Sequence, residues 1–390
     1  MRGLLPRTVT CLALAAAVLA AADCSRTTEA AAGRTHTYYV AADEMQWDYA
    51  PDNTNVATGQ PFDAMAKTFV ETGPHRIGKV YWKAVYREYT DDSFTTLKPR
   101  VAEWEHLGIL GPVLRGEVGD TIKVVFRNHA TRPYSMHPHG VFYNKDSEGA
   151  RSNDGTSGPD KADDAVPPGG THTYIWQIPE RAGPGPSDPS SLVWLYHSHV
   201  TEMRDVNAGM IGAMIVTRRG AAGPDGRPTD VDREFISLFM LFDENGSPYL
   251  DKNIDAFVSD KKGLKRLELI PTDPEGMWSF VGTGFVPANI KATINGFLFG
   301  NGPLLTMTQG ERVRWYVVTI GEGINFHTPH WHGNVVLDHG HRTDVLAISP
   351  AQMETVDMVP DDPGIWLYHC HVDDHMDAGM ITRYQVKPKL

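Results

Sequence analysis

The chain of 390 residues is 41% hydrophobic and 22% charged, a composition that excludes a disordered or low-complexity protein and gives room for two domains of ordinary size. Its 36 lysines and arginines against 48 aspartates and glutamates leave a formal charge of −12 with no basic block, which argues against nucleic acid or an anionic membrane as partner. The 17 histidines far outnumber the 3 cysteines, at positions 11, 24 and 370, so a disulfide scaffold is excluded as well.

Residues 1–34 read as a signal peptide and flexible leader. Arg2 and Arg7 precede an apolar stretch over 9–22, too short to span a bilayer, with small residues at 20–22 for cleavage. The protein is therefore expected to be exported, either secreted or held in the cell envelope. Cys24 stands where a lipoprotein carries its lipid, although Asp23 is a poor residue just before such a cysteine. No twin arginine is present. Without Arg2 and Arg7, 34 basic residues face 48 acidic ones, so a processed chain is near −14. No later segment is apolar enough to cross a membrane.

From residue 35 onward, short β-branched and aromatic runs alternate with Gly, Pro and Asp. They fall at 37–40, 80–86, 121–126, 171–178 and 212–216, then at 234–239, 313–319, 334–337, 354–358 and 381–386. This is an all-β pattern of Greek-key sandwiches or barrels. The charged, Gly- and Pro-rich stretch 218–232 carries no strand pattern and is the expected linker between a domain at 35–217 and a domain at 233–390.

The two halves repeat one another. Residues 193–200 (VWLYHSHV) match 365–372 (IWLYHCHV), and Ala-Gly-Met follows each at 208–210 and 378–380. Likewise 136–140 (MHPHG) matches 329–333 (PHWHG), and 116–125 lines up with 310–317. Two copies of one β domain are the simplest account.

Ten of the histidines fall in four clusters: His137 and His139; His197 and His199; His327, His330 and His332; and His369, His371 and His375, with Cys370 inside the last. A thiolate, two imidazoles and a weak thioether form the blue-copper set, and His327, Cys370, His375 and Met380 supply it. On a strand, side chains alternate faces, so Cys370 points one way while His369 and His371 point the other. A metal on Cys370 is thereby wired through the backbone to a second site. Without His327 and His375 the clusters hold eight histidines, four from each half. Eight is the number wanted by one copper on two imidazoles and two coppers on three each. His339 and His341 resemble a ligand pair but are read as loop residues, and the other five histidines as surface or core residues.

These four clusters, with their His-Cys-His-x3-His-x4-Met ending, resemble the copper-binding segments of the multicopper oxidases. The ceruloplasmin and hephaestin branch is more similar than the fungal laccases, notably at 232–243 (DREFISLFMLFD), 294–296 (ING) and 364–380 (GIWLYHCHVDDHMDAGM). The resemblance runs from about residue 35 to the C-terminus and implies two cupredoxin-like domains and four coppers per chain. By it, His327, Cys370, His375 and Met380 correspond to type 1 ligands, and His137 and His330 to the type 2 pair. His139, His197, His199, His332, His369 and His371 correspond to the type 3 set. The first domain departs from the second: Ser198 replaces Cys370, Tyr134 replaces His327, and Met203 falls near the place of His375. A type 1 copper is therefore expected only in the second domain, which disfavours a copper nitrite reductase.

The resemblance implies one-electron oxidation at the type 1 site and four-electron reduction of dioxygen to water at the cluster. Asp154, in an Asp-Gly turn, resembles the acidic residue that handles protons in two-domain laccases. Because each half brings four of the eight cluster ligands, the cluster belongs at a domain seam. In two-domain relatives that seam lies between chains, which implies a homotrimer; a seam within one chain is the competing geometry. For the reductant, Asp374 before His375 resembles a ceruloplasmin iron ligand, with Asp373 beside it, while 287–293 (PANIKAT) lacks the glutamate and histidine that complete that site. A phenol or aromatic amine is the first expectation and Fe(II) or Cu(I) the second. A non-catalytic copper-binding or electron-transfer protein is the alternative of another class.

Overall fold

The alternation read from the sequence becomes strands wherever one face is buried. The computed structural model describes residues 33–262, 264, 284–321 and 325–389. The leader, with Cys11 and Cys24, lies outside the described residues. In the first half the strands are β1 (Thr35–Asp48), β2 (Val80–Tyr89), β3 (Leu114–Glu117), β4 (Thr121–Asn128), β5 (His137–Pro138), β6 (Thr171–Gln177), β7 (Ser191–His197) and β8 (Ile211–Thr217). In the second they are β9 (Arg233–Asp243), β10 (Ile290–Ile294), β11 (Leu305–Thr308), β12 (Val313–Thr319), β13 (Pro329–Trp331), β14 (Val336–Asp338), β15 (His341–Thr343), β16 (Met353–Met358), β17 (Gly364–Cys370) and β18 (Ile381–Lys387).

The sheets repeat as the motifs do. The first half forms sheets of order β2-β1-β4-β6 and β3-β8-β7-β5, and the second forms β10-β9-β12-β16 (extended by β14 and β15) and β11-β18-β17-β13. In each half two parallel pairs close the topology: β1 with β4 and β3 with β8, matched by β9 with β12 and β11 with β18. These crossovers make the curled all-β architecture expected from the sequence. Strand β4 alternates strictly between buried and half-buried residues, as a strand with one wetted face must. Strand β12 is buried throughout. It is flanked by β9 and β16 and covered by the other half.

The expected linker does not separate the halves. Phe69, Val193, Leu195 and Ile211 of the first half share one continuous core with Phe239, Leu298, Trp315 and Tyr316 of the second. Polar contacts stitch the same seam. Trp47 Nε1 donates to the Gly296 carbonyl at 2.7 Å, and the Ile109 N–H donates to Asn295 O at 3.1 Å. His106 is buried here: its Nδ1 meets Glu103 O, and its Nε2 accepts the Ile236 N–H at 3.1 Å. Within the linker, Asp230 takes Arg314 Nη2 at 3.2 Å and the Ser190 hydroxyl at 2.5 Å.

Deeper in the seam lies a buried charge cluster. Lys83 bonds Glu244, whose Oε1 also accepts the Tyr49 hydroxyl at 2.5 Å, and all three side chains are out of contact with solvent. Nearby, the fully buried Lys291 ammonium donates to the carbonyls of Phe69, Gly78 and Ala288 at 2.6, 2.9 and 2.6 Å. Among the described residues no helix is long and apolar enough to cross a membrane.

Candidate metal centres

Each His-x-His pair is positioned by the same strand pairing. In the first half His137 sits opposite His197 where β5 meets β7, and in the second His330 sits opposite His369 where β13 meets β17. The glycine after each pair is required. Gly140 and Gly333 have φ of 78° and 72°, and an added Cβ would fall 2.4 Å from Trp194 and 2.6 Å from Trp366. Those tryptophans belong to the Trp-Leu-Tyr-His runs of β7 and β17. The two segments of each motif are thus locked together by backbone and ring.

Three of the four residues read as type 1 ligands, His327, Cys370 and His375, come together. Cys370 Sγ lies 3.9 Å from His327 Nδ1 and 3.7 Å from His375 Nδ1, and all three residues are buried, as is Met380. Ligand atoms about 2.0–2.3 Å from one ion in a trigonal plane lie roughly 3.5–4 Å apart, so these spacings fit a first-row ion. Three elements hold the set: the strand end at Cys370, the short helix Asp373–Asp377 carrying His375, and the segment before β13 carrying His327. The Thr328 N–H donates to Cys370 Sγ at 3.3 Å. Burial lowers the imidazole pKa of His327 to about 2 and of His375 to about 4, keeping both neutral, and raises that of the Cys370 thiol.

The eight remaining histidines form two quartets. In the first, His139 Nε2 and His197 Nε2 lie 3.1 Å apart, and the His137 ring is 5.2 Å from that of His199. In the second, His332 Nε2 and His369 Nε2 lie 2.9 Å apart, and the His330 ring is 5.3 Å from that of His371. Nitrogens about 2 Å from a shared ion and at roughly right angles lie about 3 Å apart, so each close pair suits one metal. Four rings are oriented by their other nitrogen. Nδ1 of His137 meets Glu148 O at 2.7 Å, of His197 Ser198 O at 3.1 Å, of His330 Asp344 O at 3.0 Å, and of His369 Cys370 O at 2.8 Å. Carbonyl acceptors fix the Nδ1–H tautomer and leave Nε2 as the ligand atom. The donor chemistry therefore fits copper. Every close ring contact among the eight lies within one quartet.

The first half has filled its missing type 1 site with hydrogen bonds. Counting forward from His199 put Met203 near the place of His375, but the fold puts Asp205 there. Met210 N–H donates to Asp205 O at 3.1 Å just as Met380 N–H donates to His375 O at 2.9 Å. Ser198 Oγ bonds Asp205 Oδ2 at 2.7 Å, and Tyr134 bonds Tyr249 at 3.1 Å. Two extra residues between His199 and Gly209 misled the forward count. The glycine ends agree, with Gly209 and Gly379 at φ 114° and 115°.

The two candidate carboxylates sit differently. Asp154 is bound within its own loop by Thr156, by Lys161 Nζ at 2.9 Å and by Lys145 Nζ at 3.1 Å, and the Thr156 and Lys161 hydrogen bonds hold it far below the usual carboxylate range. Asp374 is half-buried in the helix that carries His375. Burial raises the Asp377 pKa, and the charges of Asp373, Asp374 and Asp63 add to the rise. In the 287–293 segment Pro287 is in a helical turn and Lys291 points into the core. Most histidines read as bystanders have ordinary partners, such as His36 with Asp120 and His129 with Asp43. His339, in the hairpin between β14 and β15, comes within 4.8 Å of both Asp338 and Glu354, a grouping spread over distant positions and so invisible in the motif.

Two family models, both described as multicopper oxidase, match residues 107–221 and 273–390, together more than half of the chain. Human hephaestin is 45% identical over 359 residues, mouse ferroxidase HEPHL1 44% over 355, and human ceruloplasmin 41% over 358. Each alignment covers 90–91% of this chain but only 29–30% of the relative, so the chain spans less than a third of their length. A solved multicopper oxidase superposes with a TM-score of 0.55 at 17% identity, covering 91% of this chain and 90% of that one. A copper nitrite reductase from Nitrosomonas europaea gives 0.54 at 16%, covering 91% and 94%. At such identities both likenesses show the fold alone; the ligand set and the family models carry the assignment. The chain belongs to the multicopper oxidase family.

Proposed function

We propose that this protein is a copper oxidase that takes single electrons from a phenol or aromatic amine and reduces dioxygen to water. The observation that carries this reading is the double engagement of Cys370. Its sulfur lies in the buried triad with His327 and His375, while its carbonyl accepts the His369 Nδ1–H at 2.8 Å. Copper, when bound, supplies one-electron redox chemistry at His327, Cys370, His375 and Met380, and dioxygen reduction at the eight remaining histidines. Cys370 keeps the two centres covalently linked through the backbone to His369 and His371, so reductant and dioxygen are handled apart.

His137 and His330 are assigned the type 2 role. His139 with His197, His332 with His369, and the remaining His199 and His371 are assigned the type 3 role, for four coppers in all. Because the close ring contacts run within quartets, each quartet is read as half of a cluster completed by a neighbouring copy in a homotrimer. Asp154 is proposed to hold a proton path to that seam, with Lys145 and Lys161 keeping it ionised. The domain plan of 35–217, 218–232 and 233–390 and an exported chain with leader 1–34 belong to the same reading, with Cys24 read first as an incidental thiol and second as a lipidation site.

A metal-ion reductant, Fe(II) or Cu(I), is the second reading. The half-buried Asp374 beside His375 favours it, since hard carboxylate oxygens suit a ferrous ion, and hephaestin-type relatives carry ferroxidase names. The test is copper loading of the purified chain: an intense blue colour, about four coppers per chain and dioxygen uptake with a methoxyphenol are expected. A colourless protein, or one holding a single copper, contradicts the proposal.

A further inference from the structure

Away from the histidine clusters, a cavity of about 720 Å³ opens between β2, the segment at 97–101 and the 3-10 turn Ala102–Leu107. No residue assigned to copper lines it. The volume lies within the range of small-molecule sites, which pair apolar and aromatic walls with a few placed polar groups. Here the aromatic walls are Trp47 and Trp104, and Val101, 59% exposed, stands at the rim. Trp47 is fixed by its bond to the Gly296 carbonyl and by the Phe297 ring 5.1 Å away. Trp104 lies 5.2 Å under the Arg115 guanidinium. Trp47 is thus held from outside the cavity and Trp104 by Arg115 in its wall.

The charges lining the cavity do not cancel. Lys98 pairs with Glu88 at 2.8 Å, Arg115 with Glu234 at 2.8 Å, and Arg87 reaches Asp43 at 3.8 Å. Arg100 differs: its two terminal nitrogens donate to the carbonyls of Gly108 and Leu110 at 2.8 and 2.6 Å, both neutral acceptors. Those bonds orient the guanidinium without neutralising it, and Arg87 adds like charge nearby. In a chain of net −12 this is a local positive site with aromatic walls.

We propose that the cavity binds a small aromatic carboxylate, its ring against Trp47 and Trp104 and its carboxylate on Arg100. A neutral aromatic leaves the guanidinium uncompensated, and a phosphate dianion leaves the apolar walls unfilled. The test uses the copper-loaded protein and the redox-inert probe 2-naphthoate, followed by tryptophan fluorescence and calorimetry. Saturable binding below about 1 mM is expected. The neutral amide 2-naphthamide should bind about tenfold more weakly, because a charge-assisted hydrogen bond is lost. Arg100→Gln should reduce the affinity for naphthoate to that of the amide while leaving the amide unchanged. Absence of saturable binding, equal affinity for acid and amide, or naphthoate binding that survives Arg100→Gln overturns the proposal. The comparison of acid with amide needs no variant, so it holds even where Arg100→Gln folds poorly.

Discussion

His332 Nε2 and His369 Nε2 face each other across 2.9 Å, and the first half reproduces the arrangement with His139 and His197 at 3.1 Å. Each half thus presents one preformed pair and stops there. If a cluster is completed by the next copy, a chain with a damaged first quartet can complement one with a damaged second quartet. Co-expressing His139→Ala/His197→Ala with His332→Ala/His369→Ala should then restore oxidase activity, at about a quarter of the seams of a randomly assembled closed ring. Each variant alone should be inactive. An active mixture locates the cluster between chains; an inactive mixture that still forms mixed trimers places it within one chain.

The buried Lys83–Glu244 pair ties the two halves together, with the Tyr49 hydroxyl on the same carboxylate. Burial lowers the Lys83 pKa and raises that of Glu244, each opposed by the other's charge. Removing one partner strands the other in the core. Lys83→Met should destabilise the protein by about 3–5 kcal/mol in denaturant unfolding, whereas the double replacement Lys83→Met/Glu244→Leu should recover much of the loss. A single variant as stable as the wild type would show that the pair holds nothing together.

Burial takes the Lys291 ammonium down to about 7, against about 10.4 in an unfolded chain, with Glu244 opposing the shift. Between those values the unfolded chain binds a proton that the folded chain does not. Stability should therefore rise with pH through this window, and the penalty should be complete below about pH 7. In Lys291→Met that rise should flatten by up to about 1.4 kcal/mol per pH unit, read from denaturation midpoints at pH 7 and pH 9.5. Identical slopes in both proteins would contradict the assignment, whatever the variant does to stability overall.

Asp374 separates the two classes of reductant. On the metal-ion reading, Asp374→Ala raises KM for Fe(II) about tenfold or more and leaves turnover of a methoxyphenol unchanged. Equal losses for both reductants would mean that Asp374 acts through His375, and no change in either would remove it from the substrate site.

What could be read from the sequence follows from where the signal was local. The His-x-His-Gly and Trp-Leu-Tyr-His motifs are contiguous, so strand pairing brings their imidazoles together as their spacing implied, and Cys370, His375 and Met380 lie within one strand-helix-strand turn. Asp205 was missed because two inserted residues break the register on one side of the motif only. Lys83 was not legible as a core charge, since its run VYWKAVYREY reads as an ordinary half-exposed strand and its partner lies 161 positions away. Lys291 was hidden likewise, because its carbonyl acceptors at Phe69 and Gly78 belong to the other half. The stretch 218–232 looked like a free linker because composition reports the absence of strands but not the Asp230–Arg314 pair that pins it.

The central claim is that electrons enter at Cys370 and leave at a separate histidine cluster. It is tested most directly by copper-loaded Cys370→Ser, followed for its blue absorbance, copper content and dioxygen uptake with a reductant. The account predicts no blue band, no turnover, and about three coppers retained per chain at the histidine quartets. A variant that stays blue, or that still consumes dioxygen at the wild-type rate, would contradict it.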